Sequence, residues 1–219
     1  MTNYRARRTL LVVILLLLSA IPLAGASFEL PTLQDVISQP NAPVTGDLAK
    51  LPVKGRAPKT GYSRAQFGDG WGTSLGCDTR NIILARDLKD IVRDQKCRVL
   101  SGVLNDPYTG KKITFTRGET TSDDVQIDHV VALSNAWQTG AQQLAYERRV
   151  ALANDPLNLL AVDGPANEKK SDGDAATWLP ANKPFRCQYV ERQIAVKLKY
   201  GLWVTSPERS AMATILQKC

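Results

Sequence analysis

The apolar positions of the chain fall into three zones. From Leu10 to Leu23 they are almost continuous (LLVVILLLLSAIPL), behind a basic stretch that carries Arg5, Arg7 and Arg8. Pro22 breaks the run, and Ala24-Gly25-Ala26 places small residues just before Ser27. Basic, apolar and small-residue segments in that order predict a signal peptide over residues 1–26. An apolar core of about 14 residues falls short of the ~20 that a spanning helix needs, which favours cleavage over an uncleaved membrane anchor. Residues 27–70 form the second zone. Prolines and glycines at 31, 40, 43, 46, 52, 55 and 58 interrupt it, predicting an extended lead segment with one short helix over Leu30–Ile37.

From Trp71 to Cys219 the pattern turns regular. Asp78 or Thr79 can cap a helix running to about Leu88. Arg98–Leu104 and Ile113–Thr116 are β-rich arms around the turn Asn105-Asp106-Pro107-Tyr108-Thr109-Gly110, which predicts a hairpin. Val125–Leu133 reads as a strand with two polar residues, Asp128 and His129, inside an apolar run. A helix is predicted over Trp137–Ala153, a short strand over Leu157–Val162, and another helix from near Ala166. Two helices close the chain, Phe185–Tyr200 and Pro207–Gln217, the second with Ser206 as N-cap and Pro207 at its first position. The fold class is α+β.

Composition narrows the reading. Hydrophobic residues at 43% and charged residues at 22% exclude a collagenous, coiled-coil or disordered chain. Beyond the leader, 25 basic residues face 21 acidic ones, a net charge of +4 that suits a polyanionic partner without specifying it. No P-loop, Rossmann fingerprint or G-x-S-x-G elbow is present. The four tryptophans read as core packing, Asp123-Asp124 as a turn, and the set Arg186, Arg192, Lys197, Lys199 as a solvated basic face. The chain has one histidine, His129, which excludes a His-rich zinc site.

Four cysteines without a C-x-x-C pair, in an exported chain, predict two disulfides. Two antiparallel closing helices of similar length bring Cys187 to Cys219. The remaining pair, Cys77–Cys97, requires the intervening chain to double back, because a continuous helix would hold the Cα atoms ~27 Å apart, against a limit of ~7 Å. The helix is therefore predicted to stop near Leu88–Asp90 and to return as an extended Ile91–Arg93.

An Asp-His pair in an apolar strand is costly unless it faces a cleft. Downstream, Asn158 lies in a second short strand and Asn167 at the mouth of a helix, so a β-β-α unit can bring these polar residues together. Such a set suits phosphodiester hydrolysis. A neutral imidazole can take a proton from water, and carboxylate and amide oxygens suit a hard divalent cation that neutralises charge on a phosphate.

The blocks D-H-V-V-A-L, L-N-L-L-A-V and N-E-K-K-S-D resemble the HNH (ββα-metal) endonucleases, in the variant with Asp for the first His and Asn for the last. The likeness is to small secreted HNH endonuclease family proteins of bacteria. It extends to G-C-D-T-R-N (76–81), L-S-G-V-L-N-D-P-Y-T-G (100–110) and A-A-T-W-L-P (175–180), and spans roughly residues 48–219. The resemblance implies a ββα-metal core, His129 as general base and Asp128 and Asn167 as metal ligands. It implies Asn158 as the residue that fixes the His-bearing strand, and Lys170 as a phosphate contact. Arg80, on the helix after Cys77, is a second phosphate candidate. Two oxygen ligands without imidazole favour Mg²⁺, with Mn²⁺ as the alternative, over zinc. The expected protein is a secreted endonuclease of low sequence specificity acting on DNA, with RNA as a further substrate. The alternatives are an exported nucleic-acid-binding protein that does not cleave and a membrane-anchored surface nuclease.

Overall fold

The computed structural model describes residues 45–219, which fall in one compact unit. The predicted leader and the helix over Leu30–Ile37 lie outside the described residues. Mixed helices and strands form α1 (Thr45–Lys50), β1 (Thr73–Ser74), β2 (Cys77–Asp78), α2 (Thr79–Asp87), β3 (Leu88–Arg93), β4 (Val99–Asn105), β5 (Lys112–Thr116), β6 (Val125–His129), α3 (Leu133–Gln138), α4 (Tyr146–Asn154), β7 (Leu159–Asp163), α5 (Gly164–Lys170), α6 (Arg186–Tyr200) and α7 (Ser206–Leu216).

The Asp78 side chain caps α2 by accepting the Asn81 N–H at 2.8 Å. The helix stops at Asp87, and the chain reverses through β3, which pairs antiparallel with β4 as β4 does with β5. That reversal brings Cys77 and Cys97 to a Cα separation of 5.5 Å, and the two are bonded. Cys187, at the start of α6, is likewise bonded to Cys219 beyond the end of α7.

β6 and β7 form an antiparallel pair from Val125↔Asp163 to His129↔Leu159, and α5 follows at once. Asp163 caps α5, accepting the Ala166 N–H at 2.8 Å, and Pro165 occupies its first turn. Gly164 is required at this junction, because a Cβ there would meet the Asp123 carbonyl at 2.1 Å. β7 is covered on both faces. Leu159 and Ala161 enter a core with Ile83, Leu84, Val99 and Phe115, whereas Leu160 and Val162 enter another with Tyr108, Tyr189, Ile194 and Met212. Alternation along a strand produces this split. A third core gathers Phe67, Val131, Trp137, Leu152 and Leu202.

Four expectations change. The strand predicted over Val125–Leu133 ends at His129, because Asn158 terminates its partner and bonds Val130 and Val131 itself. The single helix predicted over Trp137–Ala153 is two, α3 and α4, separated at Gly140. Gly140 has φ +129° and a Cβ there would press on Trp203 at 3.1 Å, so no helical continuation fits. The N-cap of α7 is Thr205 in a capping box with Glu208, one residue before the expected Ser206. The described part of the lead segment opens with an unexpected helix, α1, and is then largely extended, exposed or half-buried over residues 52–66 but anchored at a few points. Leu48, Leu51 and Phe67 are buried, and Val53 bridges Val204.

Candidate active site

A cleft of about 620 Å³ opens at the end of β6, between α5 and the segment leading to Trp71. Strand alternation sends Asp128 and His129 to opposite faces of β6. Asp128 turns with its partner Leu160 toward the Tyr108 core, and His129 turns toward Trp71 and α4. Both line the cleft, as do Asn167, Gln126 and Arg80.

His129 is 7% exposed and held from two sides. Its ring stacks on Trp71, with planes 10° apart and centroids 5.8 Å apart, and Nε2 lies 2.9 Å from the Ala153 carbonyl. A carbonyl oxygen only accepts, so Nε2 carries the hydrogen and Nδ1 is left with its lone pair. Nδ1 makes no hydrogen bond among the described residues. Burial pushes the imidazole pKa down to about 4. The Ala153 carbonyl and Asp128 oppose the shift, and the charges of Arg64 and Lys170 add to it. The ring is therefore neutral near pH 7, with a basic nitrogen at Nδ1.

Asn158 is fully buried and stitches three strands of chain together. Its Oδ1 accepts the Val131 N–H at 2.8 Å, and its Nδ2 donates to the carbonyls of Val131 and Leu152 at 3.3 Å each. It thereby fixes the chain just after His129 to the end of α4, the helix whose Ala153 holds the imidazole.

Asp128, 4% exposed, accepts from Tyr108 Oη through Oδ2 and from Lys170 Nζ at 2.9 Å through Oδ1. Lys170 is 2% exposed and also donates to the His129 carbonyl at 2.8 Å. The expectation of Lys170 as a phosphate contact is corrected accordingly: its ammonium sits behind Asp128 and does not line the cleft. Asn167 is half-buried and donates from Nδ2 to Gln126 Oε1 at 2.8 Å, and among the described residues no group donates to its own Oδ1. Arg80 reaches the cleft but donates to the carbonyls of Ser122 and Val125 at 3.1 Å each. Among the described residues no group of three His, Cys, Asp or Glu side chains could hold a metal. The available donors, one carboxylate and one amide oxygen, fit an open, largely hydrated hard cation rather than an enclosed one. Each Asp128 oxygen keeps a lone pair beyond the hydrogen bond it accepts.

The basic residues Lys59 and Arg64 of the lead segment, which by sequence read as solvated with a polyanion contact as the alternative, stand on the opposite wall of the cleft, a position the sequence did not signal. Tyr62 and Trp71 line the same wall, and Ser134 and Asp172 complete the rim. Trp71 packs against the core of Ile83, Leu84 and Val99, as expected of a tryptophan, and in addition stacks on His129, a partnership that nothing along the chain signals between residues 58 apart. The basic set expected to form a solvated face differs as well. Lys197 is buried against Glu208, and Arg192 donates to the carbonyls of Pro156, Leu157 and Leu159.

Comparison with known proteins gives the chain a family. The family described as "GmrSD restriction endonucleases, C-terminal domain" matches residues 78–215. An "Uncharacterized secreted protein" of Arthroderma benhamiae is 37% identical over 208 residues, 94% of this chain and 98% of that one. No solved structure matches. With two antiparallel strands and a helix carrying Asp128, His129 and Asn167 inside the matched segment, the chain belongs to the family of GmrSD restriction endonuclease C-terminal domains.

Proposed function

We propose that the protein is an exported, metal-dependent endonuclease of the HNH type that hydrolyses phosphodiester bonds in DNA, and in RNA, with low sequence specificity. The observation that carries this reading is His129. It is an imidazole kept neutral by burial, fixed through Nε2 and by a stacked indole, with Nδ1 available in a cleft shared with a carboxylate and an amide oxygen. In this reading Nδ1 takes the proton of the attacking water. Asp128 and Asn167 would hold a hard divalent cation, Mg²⁺ or Mn²⁺, which supplies charge neutralisation at the phosphate. Asn158 and Trp71 orient the imidazole, and Lys170 and Tyr108 orient the carboxylate. Export is supported by the leader pattern and by the secreted relative. Among the described residues no helix is long and apolar enough to cross a membrane.

The test is nicking of supercoiled plasmid by the mature protein with Mg²⁺, with EDTA, and with His129→Ala. EDTA is expected to abolish cutting. The variant is expected to lose at least ~10²-fold in rate while remaining folded and DNA-binding. Near wild-type cutting by the variant would refute the mechanism. The ion pair between Lys170 and Asp128 favours a second reading, binding without cleavage, because the carboxylate charge is already countered. Tight DNA binding with no Mg²⁺-dependent nicking would establish that reading instead.

A further inference from the structure

The wall of the cleft opposite α5 is built by residues that precede the family-matched segment, which begins at residue 78. Three cations line the cleft, and their partners differ. Lys59 is committed to Asp172, 3.2 Å away. Arg80 is half-buried, with its guanidinium holding two backbone carbonyls. Arg64 is exposed, and among the described residues its guanidinium makes neither an ion pair nor a hydrogen bond. Of the three carboxylates that line the cleft, Asp128 is paired with Lys170 and Asp172 with Lys59, and Glu168 accepts from the amide of Gln126.

The base from which Arg64 projects is rigid. Arg64–Phe67 is a short 3₁₀ turn whose Phe67 is buried against Tyr62 and Trp137, with ring centroids 6.3 Å away in each case. Arg149 clamps the turn from α4, donating from Nε to the Gln66 carbonyl at 2.8 Å and from Nη2 to Gln66 Oε1 at 3.0 Å. Upstream, the indole of Trp137 donates to the Thr60 carbonyl, and the Gln138 amide to that of Ala57. A packed turn carrying an uncommitted guanidinium into a cleft offers an anion contact whose backbone is already placed, so that ligand binding has only the side chain left to order. A planar fork of donors matches the oxygens of a phosphodiester, and a contact of that kind is blind to base sequence.

We infer that Arg64 is a phosphate anchor for the polynucleotide backbone, supplied to the family's cleft by the segment that precedes it. This deepens the nuclease reading and rests on it.

The experiment measures binding of wild type, Arg64→Ala, Arg64→Lys and the off-cleft control Lys112→Ala to a short DNA duplex in EDTA across a salt series, alongside plasmid nicking in Mg²⁺. Loss of one phosphate contact is expected to reduce the slope of log affinity against log salt by about 0.9. Affinity at low salt should fall about tenfold, consistent with one charge-assisted contact. Arg64→Lys should keep the slope, and Lys112→Ala should match wild type. The thermal midpoint of Arg64→Ala should be unchanged, because among the described residues the guanidinium has no ion pair or hydrogen bond to lose. If wild type nicks DNA and Arg64→Ala binds with the wild-type slope, the inference is wrong and the nuclease reading stands. If wild type neither binds nor nicks, the nuclease reading falls and takes this inference with it.

Discussion

At the scale of single residues, Lys170 separates what a motif can say from what a structure decides. In the run N-E-K-K-S-D two adjacent lysines are indistinguishable by type, yet Lys169 is exposed and Lys170 is buried on Asp128. Lys170→Met keeps the aliphatic stem and deletes the charge. It would leave Asp128, 4% exposed, without its cation. Removing one partner of a buried pair costs about 3–5 kcal/mol, so urea denaturation should show a loss of that order. A surface phosphate contact would behave in the opposite way, weakening DNA binding at unchanged stability. Asp128, His129 and Asn167 were legible as neighbours, because adjacent residues at the end of β6 and a helix directly after its partner β7 come to line one cleft. Trp71 could not be recognised in the same manner, because its partnership with His129 depends on tertiary packing of the segment before β1.

At the scale of elements, local chemistry was legible wherever a short-range device fixes the backbone. The Asn105–Gly110 turn, the Asp78 cap and the reversal between Cys77 and Cys97 belong to this class, and all three are present. Breaks imposed from a distance were not legible. Gly140 interrupts an apolar period that otherwise reads as continuous helix, and the reason, Trp203 packed against it, lies far along the chain. Lys197 was hidden for a similar reason. Its side chain is fully buried between α6 and α7, 2.9 Å from Glu208 and 3.0 Å from the Trp203 carbonyl. Burial is the largest influence on both groups, lowering the pKa of the lysine and raising that of the glutamate, and their mutual attraction opposes it in each case. Glu208→Gln is therefore expected to cost about 3–5 kcal/mol by stranding the ammonium. The double variant Lys197→Met/Glu208→Gln should recover much of that loss. A thermodynamic cycle over the four proteins measures the coupling, and strictly additive losses would show that the pair is not coupled.

At the scale of the whole molecule, the family-matched segment and the packed unit do not coincide. Residues 78–215 contain β6, β7 and α5, yet Phe67, Trp71 and Arg64 complete a core and a cleft from outside. The disulfides straddle the same borders. Cys77 lies one residue before the matched segment and Cys219 four residues after it, each bonded to a cysteine within. By loop length, bridges closing 20 and 32 residues are worth about 3–4 kcal/mol each. A protein trimmed to residues 78–215 would thus retain Cys97 and Cys187 as two orphan thiols. On oxidation it should mispair or cross-link to a second molecule, which non-reducing electrophoresis and thiol titration would reveal, whereas the chain running from residue 45 to 219 should show no disulfide cross-linking and no titratable thiol. The bridges act as seams, and cutting along the family's borders unpicks both at once.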